Sequence, residues 1–179
     1  MMRKQDMSPE FIRNIFIGFN DGLVSTLGAV SGFFAAFHNP TIVFAATLIE
    51  ATAGALSMTA GAYVAVDSES ESRNLLRKET GAIEKSPTSS RPFGAALTVG
   101  ISYLTGAVVT AFPLILGART CVPSWITAGL TIMVVSYFVA ALSGMEIKRR
   151  VIVNVCILTV TAGITYGLGE IVQRFFIVR

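Results

Sequence analysis

Hydrophobic positions along this chain fall into long blocks rather than alternating with polar ones, and the polar positions gather at the seams between blocks. Five blocks are long enough to form helices crossing the ~30 Å hydrocarbon core of a bilayer, which takes about 20 mostly apolar residues. They cover residues 11–37, 41–66, 93–116, 123–144 and 151–172. None has the short alternating segments of an outer-membrane barrel. The pattern predicts an all-α integral membrane protein: one domain over 1–179, five transmembrane helices, and a short cytosolic loop at 67–91.

The seams carry recognisable breakers. Ser8, Pro9 and Glu10 stand as N-cap, first helical residue and first-turn acid, so the first helix is expected to begin before the hydrocarbon does. Asn39-Pro40 predicts a tight turn between the first two helices, and residues 117–123 and 145–150 separate the later ones. A cleavable signal peptide is not expected, because the first apolar run is too long for one and contains an acid.

Composition narrows the class. Of the 179 residues 53% are hydrophobic and 14% charged, where a soluble domain carries about a quarter charged. That excludes a soluble enzyme, a disordered tail and a nucleic-acid-binding module, and leaves the lipid bilayer as the first partner. The net charge of +3 then reports orientation rather than an anionic ligand. Arg3, Lys4, Arg13, Arg73, Arg77, Lys78, Lys85, Arg91, Lys148, Arg149 and Arg150 fall on one side. Only Arg119, Arg174 and Arg179 fall on the other. The bias places the N-terminus in the cytosol and the C-terminus outside or in a lumen.

Asp21 and Glu50 are the informative residues. Both lie deep within apolar blocks, Glu50 roughly 13 Å from the outer end of its helix. A carboxylate at such depth costs several kcal/mol unless it meets water, an ion or a partner, about +2.5 to +3.5 on insertion scales. No Lys or Arg lies deep in any block to pair with it. A cation arriving from outside is the partner this predicts. On the second helix Glu50, Gly54, Ser57 and Met58 share a face at i, i+4, i+7 and i+8. Met58 is about 12 Å along the axis from Glu50, suited to a successive position on a pathway rather than the same coordination sphere. Its thioether is tolerable for Fe²⁺ and poor for Mg²⁺ or Ca²⁺.

Other residues carry less. Gly18/Gly22, Gly28/Gly32 and Gly163/Gly167 have the spacing that lets helices approach closely, which predicts a tight bundle and a homodimer, or room for an ion beside Gly22, Gly28 and Gly32. Cys121 and Cys156 fall at different depths and read as packing residues, and His38 as an interfacial polar residue. Glu170 near the outer end of the fifth helix is a candidate proton or exit site. No nucleophile stands with a base beside it and no prosthetic-group motif is present, so the chain does not read as an enzyme.

Asn20-Asp21-Gly22-Leu23-Val24-Ser25 resembles the first-helix motif of the vacuolar iron transporter family. Residues 53–63, Ala-Gly-Ala-Leu-Ser-Met-Thr-Ala-Gly-Ala-Tyr, are similar to its second-helix motif. The resemblance implies a homodimer whose first helices line a central path, exporting Fe²⁺, often with Mn²⁺, from the cytosol in exchange for H⁺. The metal positions carried over are Asp21, Glu50 and Met58, with Asn20, Gly22 and Ser57 lining the path. Such transporters insert a helical, Glu- and Met-rich metal-binding domain after the second helix, for which only residues 67–91 are present here. Residues 67–79 are able to continue the second helix and are similar to the first helix of that domain, and Gly81 and the polar run 86–90 then break the pattern. Glu69, Glu71, Glu79 and Glu84 are candidate accessory metal residues, with a Glu69–Arg73 pair at i, i+4 as the simpler role. A membrane scaffold that binds a partner's polar groups through its intramembrane acids, and moves no ion, is the alternative from another class.

Overall fold

A computed structural model describes residues 9–80, 92–143 and 146–177 of the chain. Arg3, Lys4, Ser8, Gly81, Glu84, Lys85, the 86–90 run, Arg91, Met145 and Arg179 lie outside the described residues. Five α-helices follow in order: α1 (Pro9–Phe37), α2 (Pro40–Thr80), α3 (Pro92–Ile115), α4 (Val122–Ser143) and α5 (Ile147–Val172), the last continued by a π-helical turn over Gln173–Ile177. Helices α2, α3, α4 and α5 are long and apolar enough to cross a membrane. Helix α1 has the length, 29 residues, but Asn20, Asp21 and its hydroxyl residues lower its hydropathy. It sits at the centre instead, packed against all four other helices. That central packing buries Leu23, Thr26, Leu27, Val30 and Ser31 completely or nearly so.

Two helix boundaries differ from the hydropathy seams. Helix α2 runs 41 residues, to Thr80, or roughly 60 Å, so the charged segment from Asp67 continues it beyond the hydrocarbon as a helix. Helix α5 begins at Ile147, four residues before the apolar block, because Lys148, Arg149 and Arg150 are good helix formers that need no apolar solvent. The turns have local causes. At the end of α1, His38 takes a positive φ of 50° and its N–H bonds Phe34 O at 3.2 Å, the left-handed stop that ends many helices. Asn39 Oδ1 then accepts from Thr41 N at 3.0 Å and Ile42 N at 3.3 Å, with Pro40 at the first helical position of α2. Helix α3 ends on Gly117, φ 87°, where Ala118 N reaches Pro113 O and Gly117 N reaches Leu114 O.

Three apolar clusters hold the bundle. Leu23 and Leu27 of α1 meet Ala128 and Ile132 of α4 and Leu158 and Ala162 of α5. Val30 and Phe34 meet Val43 and Leu114, with half-buried Cys121 against them. Burial pushes the Cys121 thiol above its ordinary range. Ala51 and Ala55 of α2 meet Tyr103 and Ala107 of α3, with Met58 alongside. Both cysteines are free, and Cys156, contrary to its expected packing role, is exposed on α5.

Helices α1 and α3 approach backbone to backbone. A Cβ on Gly18 would overlap Val99 O, one on Gly22 would overlap Tyr103 O, and one on Gly106 would overlap Phe19 O. Gly28 and Gly32 face Thr161 and Thr165 of α5, whereas nothing lies within 4 Å of Gly163 or Gly167. The first two glycine pairs therefore act within the chain, where van der Waals packing replaces the hydrophobic effect that lipid cannot supply. Gly22→Ala and Gly106→Ala are each expected to cost about 1–3 kcal/mol by overpacking. Gly61→Ala, at an open position, is expected to be neutral or stabilising. Thermal unfolding of the three variants in one detergent checks the contrast.

Candidate functional site

The site is built at the level where α1, α2 and α3 cross. Glu50 lies ten residues into α2, roughly 15 Å from its start, and is half-buried. Ser25 Oγ donates to Glu50 Oε1 at 2.6 Å and Thr26 Oγ1 donates to Oε2 at 3.3 Å. From α3, the Tyr103 hydroxyl lies 3.0 Å from Oε1 and 3.0 Å from Ser25 Oγ. Three hydroxyls from two neighbouring helices thus surround one carboxylate. Hydroxyls can donate without carrying charge, so they solvate the anion while leaving its negative charge available to a cation.

Asp21 stands one turn of α1 nearer its N-terminus than Ser25, about 6 Å along the axis. It is exposed on the chain's surface, and the Glu50 charge acts on it through space. Arg13, Ile17 and Asp21 follow one another at i, i+4 and i+8 on this exposed strip. Toward the other end the strip continues as an open apolar groove against α5, lined by Gly28, Gly32, Phe33, Thr165, Gly169 and Val172. Met58, half-buried against the cluster of Ala51, Ala55, Tyr103 and Ala107, is two turns along α2 from Glu50. Because α1 and α2 run antiparallel, the order from the end that holds the α1 N-terminus is Met58, Asp21, Glu50.

The remaining candidates are placed as follows. Asn20 is half-buried, Ser57 is exposed, and Gly22 is buried against α3 rather than facing an open space. On the α2 extension Glu69 pairs with Arg73 at 2.5 Å, and Glu71 is exposed. Glu170 is half-buried, 4.0 Å from Arg174. His38 Nδ1 lies 3.1 Å from Gln173 Nε2, joining the outer ends of α1 and α5. Among the described residues no three His, Cys, Asp or Glu side chains form a metal cage within one chain. Ser25, Thr26 and Tyr103 are not among the site residues the sequence suggests, Ser25 entering only as the last residue of the first-helix motif. The one available signal was a phenol in the middle of an apolar span, which needs a partner for its hydroxyl.

Fold and site together define a multi-pass helical membrane protein with a hydroxyl-lined carboxylate where its first three helices cross. Residues 12–91 and 72–170 match the VIT family, and the chain belongs to that family. It is 37% identical to the vacuolar iron transporter of Centaurea cyanus over 79 residues, 44% of this chain and 32% of that protein. It is 38% identical to vacuolar iron transporter 1 of Eucalyptus grandis over 72 residues, 39% of this chain and 29% of that protein. Vacuolar iron transporter homolog 3 of Arabidopsis thaliana is 34% identical over 102 residues, 56% of this chain and 50% of that protein. The matched stretches span about a third to a half of these relatives' lengths. All three are named as transporters, not enzymes.

Removing one donor from a desolvated carboxylate leaves charge poorly solvated. Ser25→Ala is therefore expected to destabilise the protein by about 1–3 kcal/mol. In a Glu50→Gln background, where no charge needs solvating, the same change is expected to cost much less. A double-mutant cycle on thermal unfolding reads the difference, and strictly additive effects would contradict the network.

Proposed function

We propose that the protein transports divalent transition metal, Fe²⁺ foremost and Mn²⁺ as well, out of the cytosol in exchange for protons. The observation that carries this is Glu50, a carboxylate at mid-membrane that is hydrogen-bonded by hydroxyls and has no cationic side chain against it among the described residues. Asp21 and Glu50 would act alternately as metal ligands and proton acceptors, since a carboxylate must lose its proton to bind metal. Metal arriving from a neutral cytosol displaces protons, and protons from an acidic compartment displace metal. Met58 stands nearer the cytosolic end, where its soft sulfur favours Fe²⁺ over the hard ions.

The same account calls for two copies. Asp21 is exposed on one chain, and a bare carboxylate facing lipid is costly. A second chain laid along the strip of α1 that includes Arg13, Ile17 and Asp21 would cover it and bring four carboxylates to one path. A cytosolic N-terminus follows from the basic bias, and a vacuolar-type membrane from the names of the relatives. The acids of the α2 extension lie on the cytosolic side, where Glu71 is free to attract cations even though Glu69 is engaged by Arg73.

Reconstituted liposomes with an acidic interior test the proposal. Fe²⁺ uptake is expected to collapse when the pH gradient is dissipated, and to fall about tenfold or more in Asp21→Ala and in Glu50→Ala, at least the scale of losing an outer-shell partner. Flux that needs no gradient and survives both substitutions together would overturn it.

A further inference from the structure

The Tyr103 side chain is fixed at both ends by the absence of side chains on its neighbours. At its backbone end, the Tyr103 carbonyl occupies the space a Cβ on Gly22 of α1 would need. At its other end the phenol fills the place of a Cβ on Gly54 of α2, which would overlap the hydroxyl and come within 2.5 Å of Cζ and 2.9 Å of Cε1. Between these contacts the ring is walled by Ala51, Ala55 and Ala107, and the residue is 1% exposed. A phenol has two side-chain torsions and here no room to use them. Its hydroxyl is therefore delivered to one point, 3.0 Å from both Glu50 Oε1 and Ser25 Oγ.

Glu50 is the opposite kind of side chain, with three torsions and a rotamer entropy cost of up to about 2 kcal/mol to hold it still. A carboxylate has about four lone-pair directions. Oε1 already meets Ser25 and Tyr103, whereas Oε2 meets only the longer bond from Thr26. The free acceptor capacity is thus concentrated on Oε2.

We propose that Tyr103 is the positioning residue for Glu50: wedged between Gly22 and Gly54, it holds Oε1 and so presents Oε2 to a divalent cation. It touches no cation itself. The inference rests on Glu50 being a metal ligand, as proposed above, and assigns α3 a part in the ion site. Gly54 takes a specific role in consequence. A methyl there would push the phenol off Glu50 without altering any polar group, so Gly54→Ala should reproduce the loss of the hydroxyl.

The experiment measures initial Fe²⁺ uptake against Fe²⁺ concentration in liposomes carrying the full chain, with Glu50→Gln, Tyr103→Phe and Gly54→Ala beside the unsubstituted protein. Tyr103→Phe keeps the ring and removes only the hydroxyl. It is expected to raise the half-saturating concentration about tenfold, the scale of one hydrogen bond to a charged group, with the maximal rate little changed and thermal stability lowered no more than in Ser25→Ala. Gly54→Ala is expected to shift the half-saturating concentration in the same direction, and Glu50→Gln to abolish saturable uptake. If Glu50→Gln abolishes uptake while Tyr103→Phe leaves the half-saturating concentration unchanged, the positioning role is wrong and transport through Glu50 stands. A Tyr103→Phe protein that loses maximal rate and thermal stability together, at constant half-saturation, likewise overturns it in favour of a packing role. If Glu50→Gln transports normally, transport through Glu50 fails and the positioning role falls with it.

Discussion

A carboxylate enclosed where three helices cross has to be solvated by something, and in this protein the solvent is a set of hydroxyls. Ser25, Thr26 and Tyr103 reach Glu50 from α1 and α3, and much of the rest of the bundle is arranged so that they can. Had a lysine or arginine filled that role, the pair would be neutral and closed to a metal ion. Hydroxyls satisfy the lone pairs without cancelling the charge. The site therefore remains attractive to a cation and to a proton, which is the chemical condition for exchanging one for the other.

Holding three helices close enough for these bonds requires small residues at their crossings. Gly18, Gly22 and Gly106 let the α1 and α3 backbones touch, and Gly54 leaves the space that the Tyr103 phenol fills. The interior stays polar elsewhere for related reasons. Ser31 accepts from Trp125 Nε1 at 2.8 Å, and Ser136 accepts from Asn154 at 2.8 Å, tying α1 to α4 and α4 to α5. The Thr47 and Ser124 hydroxyls are buried without a partner in one chain. Helix α1 lies at the centre, where its polar residues Ser25, Thr26 and Ser31 find partners on α2, α3 and α4.

Much of this was legible in the sequence, and the parts that were not have physical causes. Hydropathy located the five helices because lipid imposes length and apolarity on each span. Asp21 and Glu50 stood out because no other charge lies deep in their blocks, Arg13 falling at the edge of the first. Hydropathy could not show that α2 continues to Thr80, since a solvated helix stabilised by pairs such as Glu69–Arg73 looks polar along its length. Gly22 could be read either as a packing residue or as room for an ion; its contact with the Tyr103 carbonyl depends on the register of α1 against α3. Tyr103 was invisible for the same reason. It lies 53 residues from Glu50 and 78 from Ser25, and no local pattern encodes a meeting of three helices.

The central claim is that Glu50, presented by its hydroxyl neighbours, is where a divalent cation sits inside the membrane. Anomalous diffraction at the iron or manganese edge, on crystals of the full chain grown with Fe²⁺ or Mn²⁺, addresses it most directly. The account predicts a peak within coordinating distance of Glu50 Oε2, with the Tyr103 and Ser25 hydroxyls still on Oε1. Metal peaks confined to the cytosolic extension of α2, with none at the level of Glu50, would contradict it.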